Sequence, residues 1–252
     1  MVNNKIAIVC LLRYYDTFSG YTEIISRNHS IIKYIGTDIP ILIFNEGTIS
    51  PQCEEYISKS TPELKISFID IKKDWNFKYP YASMCRFFSY HIWNYCKDYE
   101  YIMRIDTDCE IIESQNIFCN LYDNNVYYNT VFWPWGENHE MTNSTLPKFI
   151  ESITDVDKNI FYNKFPYTNV YLSKVNFWLD YNINNILKKI CLSDFQLTNR
   201  WGDLPILGSM LNIFAKDDIG TLQIKYKHKS HNCIVDCINQ QLIFSDNTKL
   251  VC

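Results

Sequence analysis

Apolar positions recur along the first half of the chain in two alternating rhythms. Ile6-Ala7-Ile8-Val9-Cys10-Leu11-Leu12 is a continuous apolar run, the pattern of a short strand buried on both faces. From Thr22 to Tyr34 the spacing of Ile24, Ile25, Ile31 and Ile32 predicts a helix. Pro40-Ile41-Leu42-Ile43-Phe44 predicts a second buried strand, closed by the turn residues Asn45-Glu46-Gly47. Pro51 to Ser60 predicts a helix, and Ile66-Ser67-Phe68-Ile69-Asp70-Ile71 alternates as a third strand. Strand and helix in this succession predict an α/β fold with a parallel sheet.

Tyr81 to Cys96 reads as a helix with Met84, Phe87, Phe88, His91, Ile92 and Tyr95 along one side. Tyr99-Glu100-Tyr101-Ile102-Met103-Arg104-Ile105 is the next strand and ends at Asp106-Thr107-Asp108. Further on, Val126 to Trp135 and Thr168 to Leu172 predict strands, and Lys174 to Leu192 a helix. Leu204 to Phe214 predicts another helix, introduced by Arg200-Trp201-Gly202-Asp203. The tail after Ser230 carries little periodic signal. No internal repeat or linker divides the chain, so residues 1–252 are expected to form a single domain.

Composition narrows the function classes. Lys and Arg number 24 against 28 Asp and Glu, a balance that disfavours a nucleic-acid partner. No apolar run approaches the roughly 20 residues of a membrane helix, so no transmembrane segment is expected. Ile6–Leu12 lacks a signal-peptide cleavage site and Arg13 follows it at once. The expectation is a cytoplasmic protein. Ten cysteines occur without a C-x-x-C pair, and without a secretion signal most are expected as reduced thiols. Asn28-His29-Ser30 and Asn143-Ser144-Thr145 match glycosylation sequons. Aromatic residues reach 16%, with 19 Tyr; a tyrosine joins a flat apolar body to a polar tip and suits sugars as well as cores.

The chemistry concentrates at Asp106-Thr107-Asp108. Ligands of open α/β sheets bind at the carboxyl ends of strands, and this pair of carboxylates stands at such an end. Mg²⁺ or Mn²⁺ takes hard oxygen ligands and shares them with substrate phosphates. A D-x-D pair is therefore suited to hold a cation on a nucleoside diphosphate and to stabilise the charge that develops as it departs. A solvated turn uses the same residues, so the motif alone does not decide.

Four segments together carry a resemblance. Tyr81-Ala82-Ser83-Met84-Cys85-Arg86-Phe87 and Tyr101-Ile102-Met103-Arg104-Ile105-Asp106-Thr107-Asp108 come first. Arg200-Trp201-Gly202-Asp203-Leu204-Pro205 follows, then Asp217-Asp218-Ile219-Gly220 with Tyr226-Lys227-His228 and His231-Asn232-Cys233. In sequence and order they resemble the fungal α-1,2-mannosyltransferases of the Kre2/Mnt1 type (glycosyltransferase family 15-like). The resemblance implies a GT-A fold with a Rossmann-like mixed central sheet and flanking helices. It also implies GDP-mannose as the nucleotide-sugar donor, Mn²⁺ (or Mg²⁺) as cofactor, retention of configuration and a glycan or glycoprotein acceptor.

By position, the resemblance implies that Asp106, Asp108 and His228 hold the metal and that Arg13, Arg86, Asp106 and Asp108 bind the donor. Asp106 stands where the family has Glu. Tyr81 matches a residue lining the donor and acceptor pocket. Asp203 either precedes the helix at Leu204 as its N-cap or serves as a hydrogen-bond acceptor for a sugar or attacking hydroxyl. Lys164-Phe165-Pro166-Tyr167-Thr168-Asn169-Val170-Tyr171 departs from the family's C-H-F-W-S-N-F-E, so that Tyr171 stands where the resemblance places a catalytic carboxylate. A phenol, with its reference pKa near 10, is a different group, though its oxygen can still stabilise positive character at the sugar or hold an acceptor, and Asp203, Tyr171 and Tyr81 are the catalytic candidates. A nucleotide-sugar- or glycan-binding protein without turnover is thus the alternative, and hydrolysis or nucleotidyl transfer at the same site a third. Arg200 fits a structural ion pair as well as a ligand contact, and the His228, His231, Cys233, Cys237 spacing matches no standard zinc pattern.

Overall fold

The structure is a computed structural model and describes residues 5–115, 117–118, 125–129, 131–134, 140–154, 164–245 and 249–251. The first half follows the rhythm of the sequence: β1 (Ile6–Leu12), α1 (Thr22–Tyr34), β2 (Ile41–Asn45), α2 (Pro51–Ser60) and β3 (Ile66–Asp70). β1 pairs parallel with β2, and β2 with β3. Alternate β1 side chains enter two different cores: Ile6, Ile8, Cys10 and Leu12 one, Ala7 and Val9 the other. This is the period of two of a strand covered on both faces, and each buried Ile or Val contributes about 1.5–3 kcal/mol over exposure. Ser50 starts α2 by accepting a hydrogen bond from the Cys53 N–H at 3.3 Å. Pro51 occupies the first helical turn, where its missing N–H costs nothing.

The next helix is built in three pieces: α3 (Pro80–Arg86), a π-helical turn (Phe87–His91) and α4 (Ile92–Tyr95). The wider turn carries one extra residue, and three successive side chains, Phe87, Phe88 and Ser89, are buried. β4 (Tyr101–Ile105) pairs parallel with β1, and β5 (Cys109–Ser114) leaves directly from the Asp106-Thr107-Asp108 turn. In place of one strand from Val126 to Trp135 there are two, β6 (Tyr127–Asn129) and β7 (Phe132–Pro134); Trp135 lies outside the described residues. α5 (Glu140–Ile153), β8 (Lys164–Pro166) and β9 (Val170–Lys174) follow.

The helix expected from Lys174 to Leu192 divides into α6 (Val175–Leu179) and α7 (Tyr181–Leu192). Asp180 is the reason. Its backbone is extended, and its carboxylate accepts from the Asn182 and Ile183 N–H groups at 2.9 and 3.4 Å, capping α7. After α8 (Phe195–Thr198) and α9 (Asp203–Phe214) come β10 (Ile219–Thr221), β11 (Ile224–His228), β12 (Cys233–Asp236), β13 (Gln241–Phe244) and β14 (Lys249–Val251).

Seven strands form the main sheet in the order β10-β6-β9-β4-β1-β2-β3. β9 runs antiparallel to both β4 and β6, so the sheet is mixed rather than parallel throughout. The weakly periodic tail forms most of a second sheet, β14-β13-β12-β11-β5, with every described pairing antiparallel. One core lies between the main sheet, α1 and this second sheet; the other lies against α4, α6, α7 and α9. β5 joins the two sheets, and its register sets His228 directly opposite Cys109.

Cys10, Cys53, Cys85, Cys96, Cys109, Cys191 and Cys233 are buried free thiols. The first sequon lies inside α1, where the buried Asn28 amide donates to Thr61 Oγ1 at 3.3 Å. No helix among the described residues is long and apolar enough to cross a membrane.

Candidate active site

Everything in the site hangs on the end of β4. Arg104 sits in the middle of five buried residues and is itself buried. A guanidinium there requires partners, and it has them. Nε and Nη2 donate to Asp106 Oδ1 and Oδ2 at 2.7 and 3.0 Å, and Nη1 donates to Asp203 Oδ2 at 2.6 Å. The guanidinium carbon lies 3.5 Å from the ring centre of Phe88, which the π-helical turn presents. Burial opposes the charge on Arg104, yet Asp106 and Asp203 outweigh it and hold the pKa above its ordinary value. Burial raises the Asp106 pKa, with Arg104 acting against it. Asp203 is the first residue of α9, so Arg104 ties the Asp106 turn to a helix N-terminus.

Asp108 has a different environment. His228 Nε2, at the end of β11, lies 3.3 Å from Asp108 Oδ2, and the Ser230 hydroxyl donates to the same oxygen. The Lys229 N–H donates to the Asp108 carbonyl at 3.0 Å, fixing the two loops together. Burial would raise the Asp108 pKa, but the hydrogen bonds from His228 and Ser230 prevail and hold it well below the carboxylate range. Burial would likewise lower His228; the bond to Asp108 and its charge bring the pKa instead up to about 9.

Among the described residues, Asp108, Cys109 and His228 place a carboxylate oxygen, a thiol and a ring nitrogen within 4.8 Å of one another. Carboxylate and imidazole fit Mn²⁺. The Cys109 thiol, whose pKa burial pushes up, is held as S–H, 3.9 Å from Asp108 Oδ1. Asp106 does not join this group, because Arg104 engages both its oxygens.

The other expected site residues are placed as follows. Tyr81, in the first turn of α3, is 60% exposed, and its hydroxyl would lie 3.8 Å from a Cβ added at Gly202, next to Asp203. Cys85, burial and Asp203 raise its pKa. Arg86 ends α3 and donates from Nη2 to Asp194 Oδ1 at 2.9 Å, while its Nε is buried without a hydrogen-bond partner among the described residues. Arg13 is exposed just beyond β1, 4.9 Å over the Tyr15 ring. Tyr171 does not reach the surface. It is fully buried on β9 opposite Arg104, stacked on Tyr127 at 5.0 Å, and its hydroxyl has no hydrogen-bond partner among the described residues. Burial pushes its pKa up. The structure thus joins Asp106 with Asp203 through Arg104 and Asp108 with His228, and shows no direct contact of either pair with Arg13 or Arg86.

Sequence reasoning missed several residues that build this site. Arg104 was visible as a charge inside an apolar strand. Buried Arg27, on α1, donates from Nη1 to the Ile105 carbonyl at 3.0 Å, supporting the turn from the other face of the sheet. The carbonyl of Asn169 accepts from the Asp106 N–H at 3.0 Å, and its side chain bridges the Tyr226 hydroxyl at 2.8 Å and Cys109 Sγ at 3.5 Å. Tyr167 meets His228 and His231. A shallow cavity of about 550 Å³, lined by Glu100, Lys174, Phe177 and Phe214 among others, lies at the opposite end of β4 from this chemistry.

No protein-family profile and no curated protein sequence matches the chain. Solved structures do. The mannosyltransferase Ktr4p from S. cerevisiae superposes with a TM-score of 0.76 at 17% identity, over 92% of this chain and 72% of that one. Its complex with GDP gives 0.73 at 16% identity, over 92% and 73%. Core-mannan synthase A (CmsA/Ktr4) from Aspergillus fumigatus, in its Mn/GDP form, gives 0.68 at 15% identity, over 89% and 74%. At such identities the likeness is one of fold: the chain has the GT-A glycosyltransferase fold.

Proposed function

We propose that the chain is a metal-dependent, retaining glycosyltransferase that moves a hexose, mannose from GDP-mannose, onto a hydroxyl of a glycan or glycoprotein. The observation that carries this reading is the pairing of Asp108 with His228 at 3.3 Å at the carboxyl end of β4 in a GT-A fold. Asp108 and His228 would hold Mn²⁺, joined by Asp106 if the ligand draws it from Arg104. When bound, the ion neutralises charge on the departing nucleoside diphosphate. Arg13 and Arg86 would meet the diphosphate, for which a guanidinium fork is the matching donor. Arg86 would turn its free donors to it from its anchor on Asp194.

Asp203 keeps Oδ2 on Arg104, which fixes its carboxylate and leaves Oδ1 to accept from a sugar or acceptor hydroxyl. Tyr81, exposed beside Gly202, would line the acceptor side. The acceptor hydroxyl attacks on the face that the nucleotide leaves, and the departing phosphate oxygen takes its proton. No protein carboxylate is then needed at the position of Tyr171. In this reading the buried Tyr171 acts from behind Arg104 rather than on the sugar.

The test is turnover of labelled GDP-mannose with Mn²⁺ and a mannoside acceptor. Transfer that disappears in Asp108→Ala supports the reading, and transfer that survives it contradicts the reading. A second reading, a binding protein without turnover, is favoured by the phenol at Tyr171; Mn²⁺-dependent GDP-mannose binding with neither transfer nor hydrolysis would select it.

A further inference from the structure

Tyr167 lies in the short connection between β8 and β9 and is buried. Its backbone N–H donates to the Val131 carbonyl at 2.9 Å, which holds it in place. Its hydroxyl meets two imidazoles, His228 Nδ1 at 2.8 Å and His231 Nδ1 at 3.4 Å. The two rings stack with centres 4.5 Å apart and planes 15° from parallel. The far nitrogen of His228, Nε2, is the one that faces Asp108.

A phenol hydroxyl has one proton to donate and lone pairs to accept with. It cannot donate to both rings. A histidine nitrogen that binds a cation presents its lone pair, so the ring's remaining proton sits on the other nitrogen. For His228 that other nitrogen is Nδ1, whose N–H then points at the Tyr167 oxygen. The Tyr167 proton is left to donate to His231 Nδ1. With a cation on His228 Nε2, both contacts are satisfied by His228 Nδ1–H donating to Tyr167 and Tyr167 O–H donating to His231.

We infer that Tyr167 is a positioning residue that holds the His228 ring and its Nδ1–H tautomer, so that Nε2 is offered to a divalent cation beside Asp108, with His231 closing the chain as acceptor. This rests on the proposed role of Asp108 and His228 as cation ligands. Outer partners of this kind fix ring orientation and raise ligand basicity.

The experiment is a titration of Mn²⁺ into the full chain with GDP present, followed by the electron paramagnetic resonance signal of free Mn²⁺. Tyr167→Phe keeps the ring and removes the oxygen. The expected result is Mn²⁺ affinity lowered about tenfold or more, with the melting temperature of the metal-free protein little changed. Nitrogen NMR of histidine-labelled protein with Mg²⁺ and GDP should show His228 protonated at Nδ1 in the wild type and a tautomer mixture in Tyr167→Phe. His231→Ala, which leaves Tyr167 in place, should weaken Mn²⁺ binding in the same direction but less, and it carries the comparison if Tyr167→Phe unfolds. Equal Mn²⁺ affinity in wild type and both variants would overturn the role of Tyr167 and leave the proposed function standing. No Mn²⁺ binding by the wild type would overturn both.

Discussion

Asp106 and Asp108 flank one residue, yet their surroundings are opposite. Asp106 belongs to a closed group. Its two oxygens are engaged by Arg104, which also grips Asp203 and rests on Phe88. Asp108 belongs to an open group, in which its carboxylate, the Cys109 thiol and the His228 imidazole bring their ligand atoms close enough to share a cation. The difference separates two tasks that a D-x-D motif merges. The closed half fixes the geometry of the turn against α9, while the open half keeps its charge available to a ligand.

The largest effect should come from breaking the closed half. Arg104→Met leaves the buried Asp203 and the half-buried Asp106 without their cation and should cost about 3–5 kcal/mol, read by urea denaturation. Adding Asp106→Asn and Asp203→Asn to that variant should restore much of the loss. A cost under about 1 kcal/mol for Arg104→Met would mean that the closed half does not hold the turn.

The open half should show itself through pH. The His228 pKa is raised in the folded, metal-free protein to about 9 from an ordinary 6.5. Its contribution is therefore complete below about 6.5 and is lost as pH rises through about 9, with an upper limit of about 3 kcal/mol. The stability gap between wild type and His228→Gln should close over that interval in chelated buffer. A gap that stays constant with pH would show that His228 is not paired with Asp108 in solution.

Two smaller changes sharpen the contrast. Tyr171→Phe removes a buried hydroxyl that has no hydrogen-bond partner among the described residues, so the protein should gain roughly 1 kcal/mol rather than lose it. Loss of stability in that variant would reveal a bond to the Arg104 group. Asp194→Ala removes the mostly exposed partner of Arg86 and should change stability by less than about 1 kcal/mol. Its effect should appear in nucleotide affinity, as Arg86 loses its anchor.

Legibility followed the length scale of the forces. β1, α1 and α2 were readable to the residue because burial on one stripe or on both faces writes a period into the local sequence. β5 was not, since it begins directly after the Asp106-Thr107-Asp108 turn and its partner β11 lies more than 100 residues further on. The short strands β12, β13 and β14 owe their existence to the same distant pairing. The break at Asp180 left a trace, a capping residue inside an apolar stretch, that periodicity alone passes over. At the site, the Asp-Thr-Asp turn stood out by residue type, and His228 through the family resemblance. Arg104 left only the trace of a charge inside an apolar strand, and Arg27, Asn169 and Tyr167 left none, because each acts through contacts with residues from other elements.

The central claim is that Asp108 and His228 form a cation site for a nucleoside diphosphate. Calorimetric titration of GDP into the wild-type chain and Asp108→Ala, each with and without Mn²⁺, tests it most directly. The account predicts binding by the wild type only when Mn²⁺ is present and no binding by a folded Asp108→Ala. Absence of Mn²⁺-dependent binding in the wild type, or equal binding by Asp108→Ala, would contradict it.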